Sequence, residues 1–115
     1  MVISKENIDF IDSLIDYYIS ESKSYRQIAE NFVPEIESVP DTTFGIITGC
    51  VYSGFLQAYQ NQQQTPSLED MQEFNHIIKE RAPLIKKSIL GFSNLQVGEK
   101  ESKNEPEQDL TENNS

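Results

Sequence analysis

The feature that most constrains the fold is a run of 27 consecutive residues, 42–68, without a single charged side chain. Apolar residues surround almost the whole circumference of a helix drawn over its first part: Phe44, Ile46, Ile47, Val51, Phe55, Leu56 and Ala58. A helix that is apolar nearly all round is typical of a buried position. The sequence therefore predicts a central buried helix over about 43–62, with Asp41 or Thr42 as its N-cap.

A ridge of small residues runs along one side of this helix, because Gly45, Gly49 and Ser53 recur at every fourth position. Each glycine inside a helix costs about 1 kcal/mol relative to alanine, so the ridge favours close approach of another backbone. Because the small domain around it can cover such an apolar helix only in part, we expect a homodimer or higher oligomer whose interface is the glycine ridge or a neighbouring apolar strip. The expected interface residues are Gly45, Gly49, Val51, Tyr52, Ser53, Phe55 and Tyr59.

The same stretch does not predict a membrane span. Its apolar part covers 44–59, and Thr48, Ser53 and Gln57 interrupt it. A spanning helix needs about 20 mostly apolar residues, and basic flanking residues are missing. We therefore expect no membrane insertion.

The first 33 residues carry a helical stripe, with apolar or small residues spaced by three and four. The stripe consists of Ile8, Ile11, Ile15, Tyr18, Ser22, Tyr25, Ala29 and Phe32. This period predicts helix and matches no strand pattern. Ser4 is the expected N-cap, and Pro34 sets the far limit. Since Ser22 is the weak point of the stripe, we expect two helices that divide near it.

A third helical segment follows a polar stretch after the central helix. Thr65 is its expected N-cap, with Pro66 at the first helical position. Pro83 is expected to kink or break this segment, which leaves a short helix that stops at Gly91. The sequence thus predicts an all-α fold, a small bundle of three to five helices around a central apolar helix.

The domain is expected to cover residues 1–95, followed by an acidic tail over 96–115. The tail holds six acidic residues and two lysines, and Val97 and Leu110 are its only large apolar residues. Such a segment buries too little surface to offset the entropy of ordering it, so we expect it to be disordered.

The net charge and the cysteine content limit which partners and which cellular setting are expected. The net charge is −10, which disfavours nucleic acid because such binding relies on lysine and arginine at phosphates. A lone cysteine, Cys50, excludes an intramolecular disulfide and fits a reducing, cytoplasmic setting. The first ten residues do not resemble a secretory signal, since acidic and polar residues interrupt them.

Carboxylates provide the strongest catalytic alternative. Asp9, Asp12 and Asp16 form a stripe on the first helix, and carboxylates that converge from two helices hold Mg²⁺ in all-helical nucleotide hydrolases. That alternative requires the stripe to meet Glu69 and Glu73 in the fold. The weak metal candidates are Asp9, Asp12, Asp16, Glu73 and His76, the last two forming a Glu-x-x-His pair. A charge run is more often a solvated face, so we expect neither cofactor nor metal.

The best-supported function is therefore a non-catalytic helical interaction module, an adaptor, accessory subunit or regulator. An acidic decoy that blocks a nucleic-acid-binding protein is a further alternative. A basic cluster either docks an acidic partner, such as the acidic first helix or tail of a second copy, or neutralises the negative end of a helix. Its members are Lys79, Arg81, Lys86 and Lys87.

Overall fold

Helices account for about four-fifths of the described residues. The computed structural model describes residues 2–98, and their side chains up to residue 91. Within that range the helices are α1 (Lys5–Ser20), α2 (Ser22–Glu30), α3 (Val39–Asn61) and α4 (Leu68–Gly98), and no strand occurs there. The predicted all-α class and the number of helices are confirmed.

The four helices form an antiparallel bundle, in which α1 and α2 run in one direction, α3 returns in the opposite direction, and α4 runs in the first direction again. The start of α1 meets the end of α3, where Asn7 and Gln62 hydrogen bond, so these helices are antiparallel. The short connection from α3 makes α4 antiparallel to α3 as well, and α4 consequently runs alongside α1 and α2. α3 packs against all three other helices, which confirms its central place.

The first helical segment divides where the sequence indicates. Glu21 leaves helical geometry at φ −106° and ψ 14°, between α1 and α2. Ser22 is fully buried and its Oγ donates to the Ser88 carbonyl of α4 at 3.3 Å. Arg26 Nη1 donates to the neighbouring Ile89 carbonyl at 3.0 Å. The gap in the apolar stripe at Ser22 is therefore a point where α2 closely approaches the α4 backbone.

The start of α3 differs from the prediction. Ser4 caps α1 as expected, its Oγ accepting from the Asn7 amide at 3.2 Å. α3 instead begins at Val39, and Ser38 Oγ accepts from the Asp41 amide at 3.1 Å. Asp41 and Thr42 are therefore not caps, because they already lie in the first turn.

α4, in contrast, starts later than predicted, at Leu68, and Thr65 is not its N-cap. Ser67 Oγ accepts from the Asp70 amide at 3.0 Å, and the Asp70 carboxylate accepts from the Ser67 amide at 3.0 Å. This reciprocal capping box satisfies two backbone donors that the helix itself leaves without partners. Pro66 consequently lies before the helix.

Of the kink or break expected at Pro83, the break does not occur, and the stop expected at Gly91 is wrong, because α4 continues through both residues to Gly98. Pro83 removes one intrahelical hydrogen bond, the one to the carbonyl of Lys79. Both residues are exposed, so water can hydrate that carbonyl. Beyond the proline, Ile85 and Ile89 are fully buried, and their packing holds the helix in register with its first half.

The core is a stripe of α3 enclosed by the other helices, and Phe55 and Phe74 stack at its centre with ring centroids 4.5 Å apart. The buried residues of α3 recur every fourth position: Thr43, Ile47, Val51, Phe55 and Tyr59. The other side of α3 is largely exposed. The expectation of burial all round is thus wrong, since α1, α2 and α4 cover only part of its circumference.

A polar cluster closes one end of the bundle. Gln62 Nε2 donates to Asn7 Oδ1 at 2.9 Å, and Asn7, Tyr59 and Asp70 are all at least nine-tenths buried. Burial raises the pKa of Tyr59, and the neighbouring Asp70 carboxylate raises it further. Glu73 Oε1 accepts from the amides of Val2 and Ile3, each at 2.8 Å, which fixes the N-terminal segment on α4.

α3 ends in a Schellman turn built on a residue other than glycine. The Gln64 amide donates to the Tyr59 carbonyl and the Gln63 amide to the Gln60 carbonyl, both at 2.9 Å. Gln63 is left-handed, with φ 59°, a conformation that costs a residue with a Cβ roughly 1–2 kcal/mol.

The end of α4 bears on the expected domain boundary. The helix continues to Gly98, three residues past the boundary at 95. The predicted disorder of the acidic tail falls, from residue 99 onward, outside the described residues.

Candidate functional site

The exposed side of α3 is the candidate interaction surface, and we call it the α3 outer face. It consists of Gly45, Gly49, Tyr52, Ser53 and Gln60, all exposed to solvent. The face carries no charge, because it lies within the uncharged stretch 42–68. An exposed helix face without a charged side chain is unusual in a chain of which 24% is charged.

In the described part of the chain, no other residue packs on the two ridge glycines. A Cβ built on Gly45 or Gly49 meets nothing within 4 Å among the described residues. The close approach occurs instead at Gly54, where a Cβ would lie 2.5 Å from Leu14 Cδ1 of α1. Sequence reasoning missed Gly54, because its contact with Leu14 depends on how α1 packs on α3 and no local pattern marks it.

The predicted interface residues divide into two groups. Gly45, Gly49, Tyr52 and Ser53 lie together on the α3 outer face. Val51, Phe55 and Tyr59 lie in the core, the first two with no exposed surface. Tyr52 links the two groups, since it is 39% exposed while its ring lies 5.7 Å from that of Phe74.

A groove of about 480 Å³ runs between α1 and α3. Small residues at Gly54 and Ala58 leave room for it, and Phe10 stands at its edge with 40% of its surface exposed. The rest of the lining is polar, with Glu6 and Asp9 from α1 and two amide side chains, Gln57 and Asn61, from α3. Gln57 Nε2 donates to Asn61 Oδ1 at 2.9 Å, so these amides satisfy each other.

A tyrosine cluster lies where α1, α2 and α3 meet. The rings of Tyr18 and Tyr25 make an edge contact with centroids 5.5 Å apart, and Tyr17 packs on Tyr18 at 5.1 Å. Burial raises the pKa of Tyr18, and the adjacent half-buried Cys50 thiol adds to the increase. Burial also raises the pKa of Tyr25, and both Tyr18 and Tyr25 pack against the core, so these two phenols serve as packing groups at the junction of the helices.

The acidic stripe of α1 is largely paired. Asp9 meets Lys5 at 3.0 Å, while Asp12 and Asp16 both meet Arg81 of α4, at 3.3 and 2.5 Å. Arg81 is only 24% exposed and joins α1 to α4. The stripe thus has less unpaired negative charge than the sequence indicates. This weakens both the metal-binding alternative and the acidic-decoy alternative.

The other metal candidates are separated. Glu73 binds the backbone amides of Val2 and Ile3, whereas the exposed His76 pairs with Glu80 at 3.1 Å. Among residues with described side chains, no group of three or more His, Cys, Asp or Glu is placed to share a metal ion. The convergence of α1 and α4 carboxylates that the hydrolase alternative requires is therefore not present in this part of the chain.

The basic cluster is split by the same contacts. Arg81 turns inward to the α1 carboxylates, whereas Lys79, Lys86 and Lys87 are exposed and form no ion pair within the described range. α4 extends eleven residues beyond Lys87. Since the charge of a helix end acts over the last turn only, these lysines do not neutralise the end of α4.

In residues 2–98, no helix has both the length and the apolar character needed to cross a bilayer. Comparison with protein-family models, with curated proteins and with solved structures finds no match.

Proposed function

We propose that this chain is a non-catalytic, helical protein–protein interaction module that self-associates through the α3 outer face. The observation that carries the proposal is the pair of exposed glycines, Gly45 and Gly49. Each costs about 1 kcal/mol relative to alanine, and the described fold has room for a Cβ at both. A second chain packed on the ridge supplies the reason for them that the single chain lacks.

The chemistry of the face suits such a contact. Without Cβ atoms on the ridge, a partner helix can approach at the short end of the usual 8–10 Å interaxial range. Tyr52 adds an aromatic side chain of the kind enriched at interfaces, and it is already held by Phe74. Because the face is uncharged, pairing removes no ion from water. A twofold axis through the ridge places the same residues on both chains.

The oligomeric state tests the proposal. Full-length protein is analysed by size-exclusion chromatography with light scattering, at concentrations on the order of tens of micromolar, which detects a micromolar Kd. The test variant is Gly49→Glu, which places a charge on the ridge where the single chain has room for it. Gly91→Glu is the matched control, because a Cβ at Gly91 of α4 also meets nothing within 4 Å in the described part.

We expect the wild type and Gly91→Glu to associate and Gly49→Glu to be monomeric with unchanged helix content. A wild type that remains monomeric throughout this range overturns self-association. Equal association of the two variants rules out the ridge as the seam. The proposed setting is a reducing cytoplasm, supported by the unpaired, half-buried Cys50.

A further inference from the structure

α4 carries a second exposed strip with a different chemistry, which we call the α4 basic strip. Its members are Lys79, Pro83, Lys86, Lys87 and Leu90. Helical spacing places them on the side of α4 opposite the buried Phe74, Ile85 and Ile89. Leu90 has 43% of its surface exposed, and Lys86 and Lys87 precede it by four and three residues, so both lysines lie next to it, one turn earlier on the helix surface.

Neither local pairing nor helix-end electrostatics explains the strip. Its three lysines form no ion pair within the described range, while most of the other basic residues of that range, Lys5, Arg26 and Arg81, do. The strip also lies in the middle of α4, beyond the reach of the charge at the helix end. Unpaired lysines beside an exposed leucine, in a chain of net charge −10, are complementary to an acidic segment that carries an apolar residue.

The chain itself contains such a segment. Residues 99–115 follow α4 directly and hold six acidic residues against two lysines. The single large apolar residue in this range is Leu110, which has Glu107 and Asp109 just before it and Glu112 just after it. The segment thus combines one leucine with neighbouring charges, as the α4 basic strip does, but its charges have the opposite sign.

The length of the connection fits as well. Leu90 lies eight residues before Gly98, about 12 Å back along the helix at 1.5 Å per residue. The twelve residues from Gly98 to Leu110, taken as a flexible chain, have a root-mean-square span of about 19 Å. A tether whose span is close to the required distance gives an effective concentration near its maximum, in the millimolar range.

We propose that residues 105–112 dock on the α4 basic strip of the same chain, with Leu110 against Leu90 and the carboxylates near Lys86 and Lys87. Each exposed ion pair contributes little, so the contact depends on the tether and is weakened by salt. The strip is then covered by the chain's own segment.

Amide chemical shifts of the full-length protein test the contact. The test variant is Glu107→Gln/Asp109→Asn, and the matched control is Glu35→Gln/Glu37→Gln, which removes two charges from the exposed loop between α2 and α3. A second variant, Leu110→Ser, tests the apolar part. Wild-type spectra are also recorded in about 0.5 M NaCl, where the Debye length is about 4 Å, and spectra of the Gly49→Glu variant before and after tenfold dilution.

We expect the tail variant and high salt to move the amides of Lys86, Lys87 and Leu90 in the same direction, and the loop control to leave them in place. Leu110→Ser is expected to move the Leu90 amide most. Unchanged strip amides in the tail variant overturn the proposal, and so do equal shifts in the loop control, which indicate only a change in net charge. Strip amides that move on dilution in the Gly49→Glu variant, whose α3 outer face cannot pair, also overturn the proposal, because they indicate docking of the tail on a second copy.

Discussion

Alanine at the ridge glycines is expected to make the single chain more stable. A Cβ at Gly45 or Gly49 meets nothing within 4 Å in the described structure, so no packing cost offsets the gain in helix propensity. That gain is about 1 kcal/mol per site, or about 2 kcal/mol for Gly45→Ala/Gly49→Ala. For a domain of this size the double variant should raise Tm by roughly 8–16 °C.

The third glycine of α3 should behave in the opposite way. A Cβ at Gly54 would lie 2.5 Å from Leu14 Cδ1, and overpacking of this kind costs about 1–3 kcal/mol. This cost cancels or exceeds the gain in propensity, so Gly54→Ala should be no more stable than the wild type. In a Leu14→Ala background the obstruction is absent, and the same substitution should recover about 1 kcal/mol.

Urea unfolding followed by circular dichroism measures these differences, provided that the slope m is unchanged. Gly91→Ala serves as the reference for the gain from helix propensity alone, since a Cβ at Gly91 of α4 also meets nothing within 4 Å in the described part. The reasoning is refuted if Gly91→Ala stabilises the protein while Gly45→Ala and Gly49→Ala do not. If the wild type self-associates, its free energy of unfolding should increase with protein concentration. The difference in stability between the ridge variants and the wild type should then decrease as the concentration rises.

Four further predictions follow from individual contacts. Gln63→Gly should stabilise the fold by about 1 kcal/mol, measured by urea unfolding, because glycine adopts the left-handed conformation without strain. Pro83→Ala should stabilise it by about 1–3 kcal/mol, and a loss of stability would contradict an exposed proline inside a continuous helix. Arg81→Met should cost about 1 kcal/mol or less in low salt and still less in 1 M salt; equal costs in both would show that packing, not charge, is lost. Because burial raises the pKa of Tyr59 in the folded state, the unfolded chain releases that proton first, and the free energy of unfolding should fall as pH rises past 10. Tyr59→Phe should make that fall shallower in a pH series of urea curves.

Periodicity and small-residue spacing predicted the helices well, while their ends were harder to locate. The 3–4 spacing of the first segment predicted α1 and α2, and the gap at Ser22 marked their division. The starts of α3 and α4 were misplaced because residues beside the prolines competed as caps. Both true starts share a serine followed three residues later by an aspartate, in Ser38–Asp41 and Ser67–Asp70. That spacing was readable in the sequence, and it brings a hydroxyl to the first free amides of the helix.

Two expectations were wrong because of tertiary contacts: the helix break at Pro83 and the complete burial of α3. A proline ends a helix only where nothing beyond it holds the chain, and Ile85 and Ile89 are buried in phase with the first half of α4. Apolar composition alone predicted that α3 is enclosed, but three neighbouring helices cover only part of a cylinder. The sequence identified the ridge of Gly45 and Gly49, whereas the pairing of Arg81 with α1 depends on long-range contacts that no local pattern encodes.

The polar cluster at the end of the bundle has a consequence for conformational specificity. Apolar stripes on helices tolerate sliding, since one turn of translation, 5.4 Å, brings another apolar residue into a similar place. The reciprocal bonds of Asn7 and Gln62 do not tolerate it. A slip of α1 along α3 would leave the buried Asn7 amide without a partner, at a cost of about 1–3 kcal/mol. The cluster thus selects one axial alignment of these helices, and that alignment keeps Leu14 opposite Gly54.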